Sequence, residues 1–303
     1  MENTTFTPIF KRFKERPEWL FTKSIRTRSL HFAFLKDYFQ LSTWLCIGGL
    51  LESIAVIFLG PRALIPLAFL LFLRTADHLA MALGITHNRY MDGAIRTKWG
   101  VQLPHADGTY GPKPADESVL VFFVGSQINH PLGILAPGCA ENQKYFNRVT
   151  DALQNYYDKR GLLGFTQWQG TTEHAGNMTM LIMYWKDVES LHSYAHGPEH
   201  MAGLRWWSNV SGQYPHLSVF HETFAAPKGQ FENIYLNCKP FGFGGITVPL
   251  AKPAKDGETP ELEWVRPIVE SKKGPLRTFA RRMMRDDLTN HEKDDNDVWD
   301  KTV

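Results

Sequence analysis

The feature that most restricts this chain is a pair of runs, VLVFFV (119–124) and MLIMYW (180–185), that are apolar at every position. A strand sends alternate side chains to opposite faces, and a half-solvated antiparallel strand alternates apolar with polar residues. Whatever sheet holds these two runs must therefore be covered on both faces.

The elements around the runs supply one cover. SVLVFFVGSQ (118–127) reads as a strand, and CAENQKYFNRVTDALQNYYDKRG (139–161) as a helix in which Phe146, Val149, Leu153 and Tyr156 recur at three and four. Glu141 lies in its first turn, and Lys159, Arg160 and Gly161 supply its stop signals. LLGFTQWQG and NMTMLIMYW are strands separated by TTEHAG, a hairpin turn in which Glu173 and His174 are expected to be exposed. A helical segment runs from Asp187 to about Asn209, and LSVFHETF (217–224) follows as a strand. The order β-α-β-β-α-β is that of the ferredoxin-like unit, an α+β fold with an antiparallel four-stranded sheet and both helices on one face. A second subunit's sheet is the expected cover for the other face. The result is a homodimeric α/β barrel with an apolar pocket between sheet and helices.

This unit is assigned to residues 118–240. Before it, a basic segment (1–40) leads into an apolar helical hairpin (41–83), formed by Trp44–Leu59 and Ala63–Leu73 around Gly60 and Pro61. Neither run reaches the roughly 20 residues of a comfortable span, so a shallow or re-entrant hairpin is expected, with a buried helical hairpin of a soluble protein as the alternative. Lys11, Arg12, Lys14 and Arg16 before the runs, and Arg74, Arg89 and Arg96 after them, predict membrane association from the cytosolic face. The first residues lack the order of a secretory signal, and Cys46, Cys139 and Cys238 make a poor disulfide framework, which suits a reducing compartment. Residues 84–117 read as a linker. Residues 241–303 read as an extended arm and a charged, disordered tail, with KKGPLRTFARRMMR (272–285) as a basic amphipathic segment. The net charge of +2, without basic residues interleaved among aromatics, excludes nucleic acid as a partner.

The conspicuous spacing of His192, His196 and His200 does not predict a metal site, because Pro198 breaks the helical register and starts a new helix with Glu199 in its first turn. Histidine titrates near neutrality, so His221, on the strand face shared by Leu217, Val219 and Thr223, is the sharper candidate for proton abstraction. Glu222 is the alternative base. Asn129, with His130 beside it before Pro131, is placed to stabilise an enolate or peroxide oxygen, although Asn-His-Pro also suits a loop opening. Trp168, Tyr184, His196, His200 and Trp207 are candidate substrate contacts.

Four phrases, FFVGSQINHPLGILAPG, LLGFTQWQG, YWKDVESLHSYAHGPEHMAGLRWW and VFHETFAAPKGQFENIYLN, resemble a monooxygenase family of fungi and bacteria, typified by the antibiotic-biosynthesis-type monooxygenase of fumagillin assembly. The resemblance covers residues 118 to 240 and implies the dimeric α/β-barrel superfamily. It also implies oxygen insertion into, or oxidative cleavage of, a hydrophobic small molecule or natural-product intermediate of secondary metabolism, with dioxygen as co-substrate. Cofactor-free relatives deprotonate an electron-rich substrate so that the carbanion reacts with dioxygen, and no cofactor is expected here. Haem-using relatives take a first-strand Asn and a helix-borne His, but Leu204 stands at the position matched to that His. A haem-dependent oxygenase or dehydratase, with His196 or His200 on iron, is the second reading. A non-catalytic barrel holding a lipid is the third.

Overall fold

The computed structural model describes residues 6–17, 39–153, 161–170, 178–251 and 262–285. Two helices, α1 (Leu41–Leu59) and α2 (Leu64–Ala82), are followed by the short strand β1 (Trp99–Val101) and the long strand β2 (Val119–Ile128). Helix α3 (Cys139–Leu153), strands β3 (Leu162–Gly170) and β4 (Met178–Trp185), helices α4 (Val188–Ala195) and α5 (Pro198–Val210) and strand β5 (Leu217–Ala226) complete the main body. Three short strands, β6 (Val248–Ala251), β7 (Leu262–Val265) and β8 (Ile268–Glu270), and a terminal turn of helix, α6 (Phe279–Arg282), come last. The protein is α+β with antiparallel sheets.

The central sheet has the order β3-β4-β2-β5, every neighbour antiparallel. Its register fixes the two faces. Leu120, Phe122 and Val124 of β2 share a face with Leu181, Met183 and Trp185 of β4, and this face packs on Phe146, Val149 and Leu153 of α3 and on Leu191 and Tyr194 of α4. The opposite face carries Val121 and Phe123 with Tyr184, Ile182 and Phe224. Gly125 has no side chain because the Phe220 ring and the Thr179 carbonyl occupy the space a Cβ would fill. The apolar runs that opened the sequence argument are thus the two central strands, and the helices cover one of their faces.

The stretches read as linker, arm and tail carry much more structure than their composition predicts. Pairing of β1 with β8 buries Trp99 and Val101 completely, and Tyr235 stacks on Trp99 at 4.1 Å. Phe243, Ile246 and Phe231 then pack on Val119, Leu163, Tyr184 and Ala226, closing one end of the outer sheet face. Segment 6–17 joins this layer through bridges from Pro8 to Val269 and from Phe13 to Trp264. The expectation of a disordered tail therefore fails for 262–285. The basic segment 272–285 forms only two short helical turns, Gly274–Leu276 and Phe279–Arg282, instead of one amphipathic helix: Arg282 is buried, its Nε 2.8 Å from Glu232, and Nη1 donates to the carbonyls of Leu276 and Arg277. These segments are held by long-range pairing of isolated aromatics, which leaves no periodic trace in the sequence.

The apolar hairpin also needs correction. α1 and α2 are joined by a single 3-10 turn, Gly60–Ala63, and meet only there instead of packing side by side. Each is longer than the run that announced it, at 19 residues. Met81 is their one buried residue. The hairpin turn with Glu173 and His174, the end of the first barrel helix from 154 to 160, the basic residues at 18–38 and the acidic segment after 285 lie outside the described residues.

Candidate functional site

The histidine-rich segment builds one wall of the site. Asp187 caps α4 by accepting from the Ser190 amide at 2.8 Å, α4 ends at Ala195, and Pro198 opens α5 with Glu199 in its first turn. In an unbroken helix the Ala195 carbonyl would take the amide four residues on. Here the His200 ring takes it instead, Nδ1 to oxygen 2.8 Å. A carbonyl only accepts, so Nδ1 carries the hydrogen, and in the neutral ring the lone pair sits on Nε2. Burial holds His200 below the usual histidine range, outweighing the Ala195 hydrogen bond, which favours the charged ring; the neighbouring His196 and His221 also push it down. The break that Pro198 imposes thus produces a half-buried imidazole whose Nδ1 is tied to the Ala195 carbonyl and whose charged form burial disfavours.

The sheet supplies the other wall. His221 of β5 lies opposite Val124, so it faces the helices, and its ring is 5.6 Å from that of Phe122. It is exposed, because β5 is the edge strand, and this corrects the expectation of an imidazole enclosed by apolar neighbours. Phe122, Val124 and Leu181 form an apolar floor beside it. One row further along the same face stand Ser126, Thr179 and Gln169, with Gln167 next to Leu181. Side-chain atoms of all four are buried without a hydrogen-bond partner. Sequence reasoning passed over these residues. The available signal was the pair of glutamines two apart, which share the inward face of Phe165 once the register is known.

The other expected residues are not brought together with His221. Glu222 lies on the opposite sheet face and is exposed. Asn129 is exposed beyond the end of β2, five residues and roughly 17 Å of strand from Val124. His130 serves turn chemistry, its Nδ1 accepting from the Leu132 amide at 3.1 Å and its ring 4.8 Å from His216. Trp168 is on the outer face, its Nε1 donating to Thr166 Oγ1 at 3.0 Å. Tyr184 is also on the outer face and packs on Phe243; its burial raises the phenol's pKa. Trp207 packs with Ile128 and Tyr214 near the far end of β2. The rings of His192 and His196 lie 4.1 Å apart, tilted by 39°, with His196 Nδ1 2.9 Å from the His192 carbonyl. Leu204, at the position matched to the haem-ligating His, is exposed.

Comparison with known proteins gives a family. A family described as monooxygenase af470-like matches residues 119–243. Monooxygenase af470 of Aspergillus fumigatus is 36% identical over 275 residues, which cover 90% of this chain and 96% of that protein. Among solved structures, the cofactor-independent oxygenase SnoaB of Streptomyces nogalater is 14% identical, covering 36% of this chain and 93% of its own, with a TM-score of 0.25. A putative antibiotic biosynthesis monooxygenase from Deinococcus radiodurans is 10% identical, covering 38% and 98%, with a TM-score of 0.26.

Proposed function

The chain belongs to the monooxygenase af470-like family and is a monooxygenase, and from that premise we propose that it oxidises an apolar carbon acid, a natural-product intermediate, with dioxygen and no redox cofactor. The unit from β2 to β5 serves as a ferredoxin-like half-barrel whose cleft between sheet and helices is the reaction site. The observation that carries this reading is the His200 ring, its Nδ1 tied to the Ala195 carbonyl so that Nε2 is left as the base, with burial disfavouring its charged form. His200 takes a proton from an activated CH2, and the carbanion adds dioxygen to give a peroxide. The histidinium returns the proton, and loss of water leaves a carbonyl. All four electrons come from the carbon, so no outside reductant is required. His221, exposed at the edge, exchanges the proton with solvent.

Anthrone, whose CH2 is acidified by two aryl rings and a conjugated carbonyl, is a suitable test substrate. With labelled dioxygen the detergent-solubilised full chain is expected to give anthraquinone with one labelled oxygen, and to keep its rate after dialysis against a chelator. A Soret band in the purified protein, or a rate that requires added haemin, would overturn the cofactor-free reading. The residues do not fit haem by the route the resemblance implies, since Leu204 offers no donor atom and Asn129 is exposed beyond the far end of β2.

The outer sheet face supports a homodimer. Away from the end closed by Phe243 and Ile246 it presents Trp168, Ile182, Phe123, Phe220 and Phe224, with Trp168 at 44% and Phe224 at 53% exposure. A second copy of the same face would cover it by sheet-on-sheet packing. In analytical ultracentrifugation the wild-type chain is expected to run as two copies, and Trp168→Glu with Phe224→Glu as one. A wild-type monomer would remove the dimer from this account.

A further inference from the structure

We propose that Ser126, Gln167, Gln169 and Thr179 form a subsite that binds the oxygen of an uncharged substrate, a ketone, enol or phenol carried on an apolar skeleton. This rests on the reading that the cleft under α3 to α5 is the reaction site. Ser126 Oγ, both amide atoms of Gln167, Gln169 Nε2 and Thr179 Oγ1 are all buried without a hydrogen-bond partner. The atoms are not scattered. Gln169 pairs with Thr179 and Thr179 with Ser126 across three strands, and Gln167 is two residues from Gln169 on the same face. Buried polar groups are normally satisfied, and each exception costs stability. A cluster of such exceptions in register, beside the apolar floor and the two imidazoles, is what a preorganised binding site looks like before its ligand arrives.

The chemistry of the cluster narrows the ligand. Amide N–H groups donate, Gln167 Oε1 accepts, and the two hydroxyls do either. This set matches an oxygen that is a carbonyl in one tautomer and a hydroxyl in the other. It offers no formal charge, so a carboxylate or phosphate would lose its hydration without a compensating cation. After proton abstraction the same donors would hold the enolate oxygen, which links the subsite to the chemistry His200 begins.

The test uses the full chain in detergent with Gln167→Leu and Gln169→Leu, singly and together. A ligand subsite is empty in the free protein, so removing its orphaned amides is expected to raise the thermal midpoint. A lowered or unchanged midpoint means the amides serve the fold, and overturns the proposal. Binding is read separately by tryptophan quenching with anthrone and dihydroanthracene, the same skeleton with and without oxygen. Wild type is expected to prefer anthrone by roughly tenfold and the double variant to lose the preference, as the loss of one or two neutral hydrogen bonds requires. Equal binding of the two compounds by wild type, or no binding of either, overturns the proposal. Because neither readout needs turnover, inactivity toward anthrone would count against the oxidation chemistry alone.

Discussion

His200→Ala is expected to lower kcat on anthrone by about 100- to 10,000-fold, the usual contribution of a positioned general base, with KM little changed. His221→Ala should cost much less, because an exposed edge imidazole that relays protons can be replaced by water. The pH profile carries the sharper information. Burial lowers the folded-state pKa of His200, so the acid limb of kcat/KM should lie below the range of an ordinary histidine and vanish in the variant. Stability follows the same shift. The unfolded chain binds the proton more readily than the folded one, so this contribution is complete above the unfolded pKa of about 6.5. It is lost as pH falls through the folded value. Wild type should therefore be destabilised over that window by a component that His200→Ala lacks. A variant that keeps the full rate would transfer the role of base to another group.

The sequence made the histidine-bearing wall of the candidate site legible and left its geometry hidden. Pro198 after Gly197 announced a helix break, and the break is present between Ala195 and Pro198. Its consequence could not be read, because it depends on which ring claims the carbonyl the break releases. His221 was assigned to the correct face from alternation alone, but its exposure follows from the position of β5 at the sheet edge, a property of strand order. Asn129 and Glu222 failed for related reasons. One lies past the end of its strand, and the other shares a strand with His221 but takes the opposite face. Ser126 and Thr179 were invisible because they sit in runs dominated by apolar neighbours, and their importance comes from the register that lines them up with Gln169. The cap formed by 6–17, 95–117, 230–251 and 262–285 was missed because isolated aromatics such as Trp99 and Trp264 find partners only far along the chain.

The α1–α2 segment carries the second large expected effect: the full chain should sediment with membranes and resist an alkaline carbonate wash. Each helix of 19 residues is about 28 Å long, close to the roughly 30 Å of a bilayer's hydrocarbon core. From Leu41 to Leu73 the charged residues are Glu52 and Arg62 alone. The apolar side chains are exposed all round, including Leu50 and Leu51 on α1 and Leu71 and Phe72 on α2. A helix apolar on every side has no face to turn to water, so either protein or lipid must surround it. From Leu41 to Leu73 no side chain is buried, and the Ser53 hydroxyl already bonds the Gly49 carbonyl at 2.8 Å, as a polar group in lipid must. The cytosolic placement of the catalytic domain is proposed from the basic residues on both flanks. Leu50→Arg with Ile57→Arg should move the chain toward the soluble fraction; Leu50 is at the centre of α1, where an arginine costs about 2.5–3.5 kcal/mol, and Ile57, near its end, adds a smaller cost. Leu135→Arg, at an exposed site of the catalytic domain, should leave partition unchanged. If wild type washes off as readily as the double variant, the helices are covered by protein, and a partner must be sought for them.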